Sequence, residues 1–230
     1  MLYRLRLLIK PILKNLIFND NDLVVSQDKI NHINSTEIEL IIKMLKETNK
    51  IDLKKYLSLI PKKQDKIWFN EWPGEHYKLL AGICKVKKPK LVIEIGTWRG
   101  LGALALSIYS KSVITYDILS LDSIPNSIYN LLMKRKNIEQ IIGDLSESTF
   151  YSMEIKKIRK ADIIFIDGPK NYTFEKMMIN KLLSNMKKGS LLVIDDIRFV
   201  NMLDIWQSIK KPKIDLAEFG HISGTGVVFI

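Results

Sequence analysis

From about residue 71 onward short β-branched apolar runs alternate with stretches that carry helical spacing. The runs predict strands over 91–95, 113–118, 138–142, 163–166 and 191–194. The intervening periodicity predicts helices over 75–85, 101–109, 123–134, 146–159, 174–186 and 200–209. Runs apolar at almost every position suit strands buried on both faces, as in a parallel sheet. Strand–helix alternation with right-handed crossovers then gives a doubly wound α/β domain. The tail, 213–230, reads as two more strands around Ser223-Gly224. This adds an antiparallel hairpin to a mostly parallel, seven-stranded sheet.

Upstream the pattern is helical. Residues 19–34 form a polar connection, and Ser35-Thr36-Glu37 has the chemistry of a helix start before Ile38, Leu40, Ile41, Ile42, Met44 and Leu45. A short helical piece over 53–59 is ended by Pro61. Residues 1–70 are therefore expected to be a helical extension and 71–230 the α/β domain, a division that suits 230 residues. Residues 1–18 carry four basic residues, no acids and many large apolar ones, with no small-residue cleavage site after them. Two readings stay open: peripheral contact with an anionic membrane, or packing on the rest of the protein or on a second subunit in a homo-oligomer, which is preferred.

Composition narrows the function classes. The net charge of +11 comes from 36 basic and 25 acidic residues, with 13 and 8 of them in 1–70 and 23 and 17 in 71–230. That even spread reads as a lysine-rich surface rather than a nucleic-acid footprint. The single cysteine, Cys84, lies in an apolar stretch and reads as a core residue, and its solitude suits a reducing cytoplasm. No apolar run approaches the ~20 residues of a membrane span.

The sharpest local signal is Val92-Ile93-Glu94-Ile95-Gly96-Thr97-Trp98-Arg99-Gly100-Leu101-Gly102. A buried strand runs into a glycine turn and then a helix. The glycine spacing G-x-x-x-G-x-G differs from the dinucleotide fingerprint. Acids end the next strands, at Asp117 and in Gly143-Asp144, and Asp117 follows Gly96 by 21 residues. A carboxylate there can accept hydrogen bonds from two hydroxyls.

This segment resembles motif I of the class I S-adenosylmethionine-dependent methyltransferases, whose domain is Rossmann-like. The resemblance implies that Gly96, Thr97 and Gly100 pass beneath the amino-acid part of S-adenosylmethionine, with Glu94 near its ammonium group. It places Asp117 on the ribose and Asp144 near the adenine.

Further along, the fourth strand gives way to Asp167-Gly168-Pro169-Lys170 and the fifth ends in Asp195-Asp196. Carboxylates crowded at adjacent strand ends need a cation or protons between them, and oxygen donors on fixed strand ends suit Mg²⁺. The pattern resembles the cation-dependent O-methyltransferases and bacterial enzymes that methylate sugars and natural products. It implies Asp167, Asp195 and Asp196 as metal ligands, with Asp167 and Lys170 as the catalytic pair. Many of the bacterial enzymes carry a histidine base where this chain has Lys170, so Lys170 is read either as the base or as a counter-charge to the acids. His76, Tyr77 and His221 are read as partly buried side chains that could also line the acceptor pocket, and His32 is given no role. Trp98 and Arg99, at the cleft mouth, contact ligand or pack a helix.

The expectation is a methyltransferase moving a methyl group from S-adenosylmethionine to a small-molecule hydroxyl with metal assistance, cytoplasmic or at the inner membrane face. The alternatives are a nucleic-acid methyltransferase and a non-catalytic, membrane-associated binding protein. The first has no Asn-Pro-Pro-Tyr-like motif in its favour.

Overall fold

The computed structural model describes residues 33–219, 221 and 223–230. The expectations for residues 1–18, for the polar connection through His32 and for His32 itself lie outside them.

The described chain opens with four helices: α1 (Ser35–Thr48), α2 (Lys54–Leu57), α3 (Lys63–Asn70) and α4 (Tyr77–Lys87). Asn34 caps α1. Its side chain accepts the Glu37 N–H, and Glu37 accepts the Asn34 N–H in return. Ile41 and Met44 turn inward into the same core cluster as Leu79, Leu80 and Ile83 of α4. The α1–α4 crossing is close because Gly82 lies under Thr48. A Cβ there would sit 2.0 Å from Thr48 Oγ1.

The remaining elements alternate: β1 (Val92–Ile95), α5 (Leu101–Ser107), β2 (Val113–Asp117), a 3-10 turn at Leu121–Ser123, α6 (Tyr129–Leu132), β3 (Ile138–Ile142), α7 (Ser148–Lys160), β4 (Ile163–Ile166), α8 (Tyr172–Asn185), β5 (Leu191–Asp195), α9 (Met202–Ser208), β6 (Lys213–Asp215) and β7 (Thr225–Phe229). They form a seven-stranded sheet in the order β3-β2-β1-β4-β5-β7-β6. β1 to β5 are parallel, and β7 runs antiparallel to both β5 and β6. This is the mixed, doubly wound sheet with an antiparallel tail that the pattern predicts.

Side chains alternate across the strands. Val92, Val113, Ile163, Phe165 and Val193 face one cluster with α1, α4 and α5. Ile93, Ile95, Ile114, Ile164 and Ile194 face the other with α7, α8 and α9. Cys84 belongs to the first cluster, and burial pushes its thiol up to about 12. The strand order reverses between β1 and β4, and that reversal opens a crevice at the strands' carboxyl ends.

Three elements differ from the sequence expectation. The helix over 123–134 is only the turn at Leu121–Ser123 and the short α6. Pro125 holds Ile124 extended, at φ −86° and ψ 122°, and Asn126 turns left-handed at φ 59°, so the helix restarts only afterwards. α9 begins at Met202 rather than 200 because Val200 is itself left-handed, at φ 44°. α3, directly after Pro61 and Lys62, was not expected at all.

Candidate functional site

The glycine turn is built as its sequence suggests. Gly96 leaves β1 at φ 98° with its Cα against the backbone of Asp167, where a Cβ would lie 2.0 Å from the carbonyl oxygen. Only glycine permits both the angle and the approach. The turn is then fastened by Asp117, whose Oδ2 accepts the N–H groups of Thr97 and Trp98 at 2.9 and 3.0 Å and whose Oδ1 accepts the Leu119 N–H at 3.0 Å. Arg99 adds an anchor to the helices that precede the sheet: its Nη1 donates to both oxygens of Asp65 of α3 at 3.0 and 3.1 Å.

Beside this turn lies a cavity of about 950 Å³. Its walls come from the ends of the first four strands, including Gly96, Asp117, Asp144 and Asp167, and from Phe174 and Met177 of α8. With Trp98, five of the residues named from the sequence thus share one pocket. Glu94, Thr97 and Gly100 do not line it. Alternation along β1 sends Glu94 to the opposite face from Ile93 and Ile95, under the first turn of α5. There it accepts the Thr115 hydroxyl at 2.6 Å, and burial raises its carboxyl well above the usual range. Thr97 Oγ1 meets the same hydroxyl at 2.6 Å. Gly100 packs on Ile128 and Leu132 around α6. These three support the turn from behind.

The second group of named residues converges at the ends of β4 and β5. Lys170 Nζ lies 2.6 Å from Asp167 Oδ1, 3.2 Å from Asp196 Oδ2 and 4.0 Å from Asp195 Oδ2. The three acids therefore meet at an ammonium group. Burial alone would lower the lysine, but the charges of Asp167, Asp195 and Asp196 outweigh it and hold the ammonium above its ordinary value. Desolvation raises the Asp167 carboxyl, with Lys170 pulling the other way. Lys170 and Asp196 both have left-handed backbones, at φ 58° and 56°. Strain of this kind on two non-glycine residues of one cluster is characteristic of functional sites. Glu175 of α8 helps to hold the loop by accepting the Lys170 N–H at 2.8 Å.

Two histidines occupy the other side of the same acids. His76 Nδ1 is 3.3 Å from Asp195 Oδ1. His221 Nδ1 is 3.7 Å from Asp195 Oδ1 and 3.2 Å from Asp196 Oδ1, and its Nε2 is 3.5 Å from Glu75 Oε2. A backbone bridge between Gly74 and His221 joins the two segments. Ser223 donates to Asp196 and sits 2.6 Å from His221 Nδ1. Burial would lower both imidazoles, but Asp195 raises His76, and Asp195 and Asp196 carry His221 to about 10. Burial would raise Asp195, yet the two histidines and Lys170 take it well below the usual carboxylate range. Sequence reading had left these histidines at the margin. No local signal joins residues 76 and 221; only the sheet topology does.

The donor set fits a divalent cation. Asp167, Asp195 and His76 offer ligand atoms within 4.8 Å of one another, as do Asp195, Asp196 and His221, and as do Glu75, His76 and His221. Tyr77, next to His76, stacks on Phe69 and His76 at centroid distances of 5.4 and 4.3 Å. Trp98 is exposed, with the Arg99 guanidinium 5.3 Å from its ring centre. Among the described residues no helix is long and apolar enough to cross a membrane.

Comparison with known proteins agrees with this geometry. A family model described as a methyltransferase domain matches residues 93–197, the span from β1 to just beyond β5. No curated protein sequence matches the chain. Among solved structures, an SAH-bound methyltransferase from Podospora anserina is similar at 14% identity, TM-score 0.52, over 93% of this chain and 97% of that one. The O-methyltransferase TomG from Streptomyces achromogenes, involved in tomaymycin synthesis and solved with SAM, is similar at 12% identity, TM-score 0.54, over 86% and 99%. A methyltransferase from Geobacter sulfurreducens is similar at 13% identity, TM-score 0.51, over 96% of both chains. At these identities the likeness is one of fold.

Proposed function

We propose that this chain, which carries a methyltransferase domain on the class I methyltransferase fold, transfers a methyl group from S-adenosylmethionine to the hydroxyl of a small molecule such as a sugar, a glycan precursor or a natural product. The observation that carries the reading is the cavity itself. One pocket of about 950 Å³ is lined by the glycine turn, Asp117 and Asp144 and also by Asp167, which leads to the acid cluster. Donor and acceptor can then meet beside Asp167.

The residues divide the work. Gly96 lets the donor approach the backbone, Asp117 offers its one remaining acceptor site to a ribose hydroxyl, and Asp144 lies where the adenine would end. The donor supplies an electrophilic methyl group on a sulfonium. Phe174 and Met177 keep that part of the pocket apolar and exclude water. Asp167 orients the acceptor hydroxyl and takes its proton as the oxygen attacks in line with the departing sulfur. Most of the acceleration comes from that alignment. Of the two roles read for Lys170, its raised ammonium supports the counter-charge, holding Asp167 and Asp196 in place. A divalent cation supplies Lewis acidity that eases loss of a hydroxyl proton, and Asp167, Asp195 and Asp196 are the residues that would hold it.

The test is binding and turnover together. Calorimetry should show S-adenosylhomocysteine bound and NADH not bound, and a screen of hydroxylated acceptors with S-adenosylmethionine should give S-adenosylhomocysteine as product. A chelator should stop turnover and Mg²⁺ restore it. Full activity in EDTA removes the cation from the proposal, and absence of S-adenosylhomocysteine binding removes the whole of it.

A further inference from the structure

The cluster at the end of β5 has two sides, and the residues on them differ in chemistry. Asp195 and Asp196 each turn Oδ2 toward the Lys170 ammonium and Oδ1 toward the imidazoles. The Lys170 side is filled by a cation of the chain's own. The other side holds the two imidazoles, whose Nδ1 atoms turn to the acids. His76 is 4% exposed, yet neither of its ring nitrogens has a hydrogen-bond partner, although Asp195 Oδ1 stands 3.3 Å from Nδ1. Burying an imidazole without partners is costly, and a ligand for its nitrogen removes that cost.

Resting on the methyltransferase reading above, we propose that the cation of this site is a first-row transition metal, held by Glu75, His76 and His221 with Asp195 beside them, rather than Mg²⁺ held by carboxylates alone. The distances suit it. Donors in cis positions around a metal with bonds of ~2.1 Å lie about 3.0–3.4 Å apart. His221 Nε2 lies 3.5 Å from Glu75 Oε2, while the Nδ1 atoms of His76 and His221 turn to Asp195 Oδ1 at 3.3 and 3.7 Å. The two rings meet edge to face with centroids 5.5 Å apart, so both present nitrogens to one region. Glu75, His76 and His221 by themselves bring donor atoms within 4.8 Å. Imidazole nitrogens select Zn²⁺, Fe²⁺, Co²⁺ or Ni²⁺ over the oxygen-seeking Mg²⁺. Phe165, 5.5 Å from the His76 ring, and Tyr77 on its other flank give the site the apolar surround that keeps ligands fixed.

Mn²⁺ titrated into the full, untagged chain serves as the paramagnetic probe. Pulsed electron paramagnetic resonance should show ¹⁴N modulation from directly bound imidazole in the wild type. His221→Gln and His76→Gln should each weaken Mn²⁺ binding at least tenfold and remove part of the nitrogen signal, and Zn²⁺ should displace the Mn²⁺ at lower concentration than Mg²⁺ does. S-adenosylhomocysteine binding, measured on the same samples, reports that each variant is folded. Because His76 is fully enclosed, the half-buried His221 is the primary variant and the wild-type spectrum needs no variant at all. Bound Mn²⁺ without nitrogen modulation overturns the imidazole site and leaves the carboxylate reading standing. Chains that bind S-adenosylhomocysteine but no Mn²⁺ overturn both metal readings and leave the methyltransferase reading. Loss of S-adenosylhomocysteine binding in the wild type overturns that reading separately.

Discussion

Asp117 accepts the backbone N–H of Thr97 at 2.9 Å, so the acid that ends the second strand fastens the turn that leaves the first. Trp98 gives its N–H to the same oxygen at 3.0 Å. Asp117→Ala should therefore weaken S-adenosylhomocysteine binding in two ways, by removing a ribose acceptor and by loosening the turn. The expected loss is at least tenfold in affinity, with about 1–2 kcal/mol of stability for the charge-assisted bonds. Calorimetry and urea unfolding measure the two effects separately.

Gly96→Ala tests the turn without touching a charge. The new Cβ meets the Asp167 carbonyl oxygen, a backbone atom that cannot swing away, and the φ of 98° is strained for any side chain. A stability loss of about 2–4 kcal/mol is expected from strain and overpacking together, and S-adenosylhomocysteine binding should fall below detection. Wild-type unfolding and binding curves for this variant would show that the turn is not where the donor rests.

Asp167→Ala should damage turnover far more than donor affinity, because in the proposed function its carboxylate, held beside the Lys170 ammonium, takes the acceptor's proton. Single-turnover rates beside calorimetric affinities give the comparison. An equal loss of both would move Asp167 into the donor pocket.

Lys170→Met leaves Asp167, Asp195 and Asp196 together without their ammonium. The expected cost is about 2–3 kcal/mol. This is below the ~3–5 of a fully buried broken pair because Asp167 keeps 33% of its side chain in solvent. Lys170→Arg should recover most of the loss. Denaturant midpoints of the two variants test this.

Away from the site, Asp162 offers a pH prediction. It accepts the N–H groups of Lys90 and Leu91 at 2.7 and 3.1 Å and pairs with Lys187 at 2.5 Å. Burial would raise its carboxyl, but the Lys187 bond and the two backbone donors lower it. A carboxyl lowered by folding contributes stability above its unfolded value of ~3.9 and loses it as pH falls through the folded value. The stability gap between wild type and Asp162→Asn should be constant near neutrality and close below about pH 4. A gap that persists there would assign the effect to packing.

Much of this architecture was legible in the chain because it rests on local signals. Five apolar runs gave the parallel strands at nearly their observed bounds. Gly96, Asp117, Asp144 and Asp167 could be placed because strand ends in such a sheet share one rim. Glu94 shows where that logic stops. A strand position fixes which face a side chain takes, and Glu94 shares the face of Val92, away from the cavity. The His76–Asp195–His221 grouping was beyond local reading, since it depends on β7 lying between β5 and β6 and on the Gly74–His221 bridge. Asp65 was equally hidden, because its buried carboxylate gains meaning only from Arg99, thirty-four residues on.

The place of β7 bears on how the site comes into being. β5 carries the acid cluster, and its outer edge has no parallel neighbour to wait for. It is completed only when Thr225–Phe229 pairs along it, with Asp195 opposite Thr225. Those residues leave the ribosome some thirty positions after Asp195, a delay of a few seconds at ~5–20 residues per second. The pocket walls made by β1 to β4 can therefore form on the nascent chain, whereas the strand that carries the acid cluster is completed last.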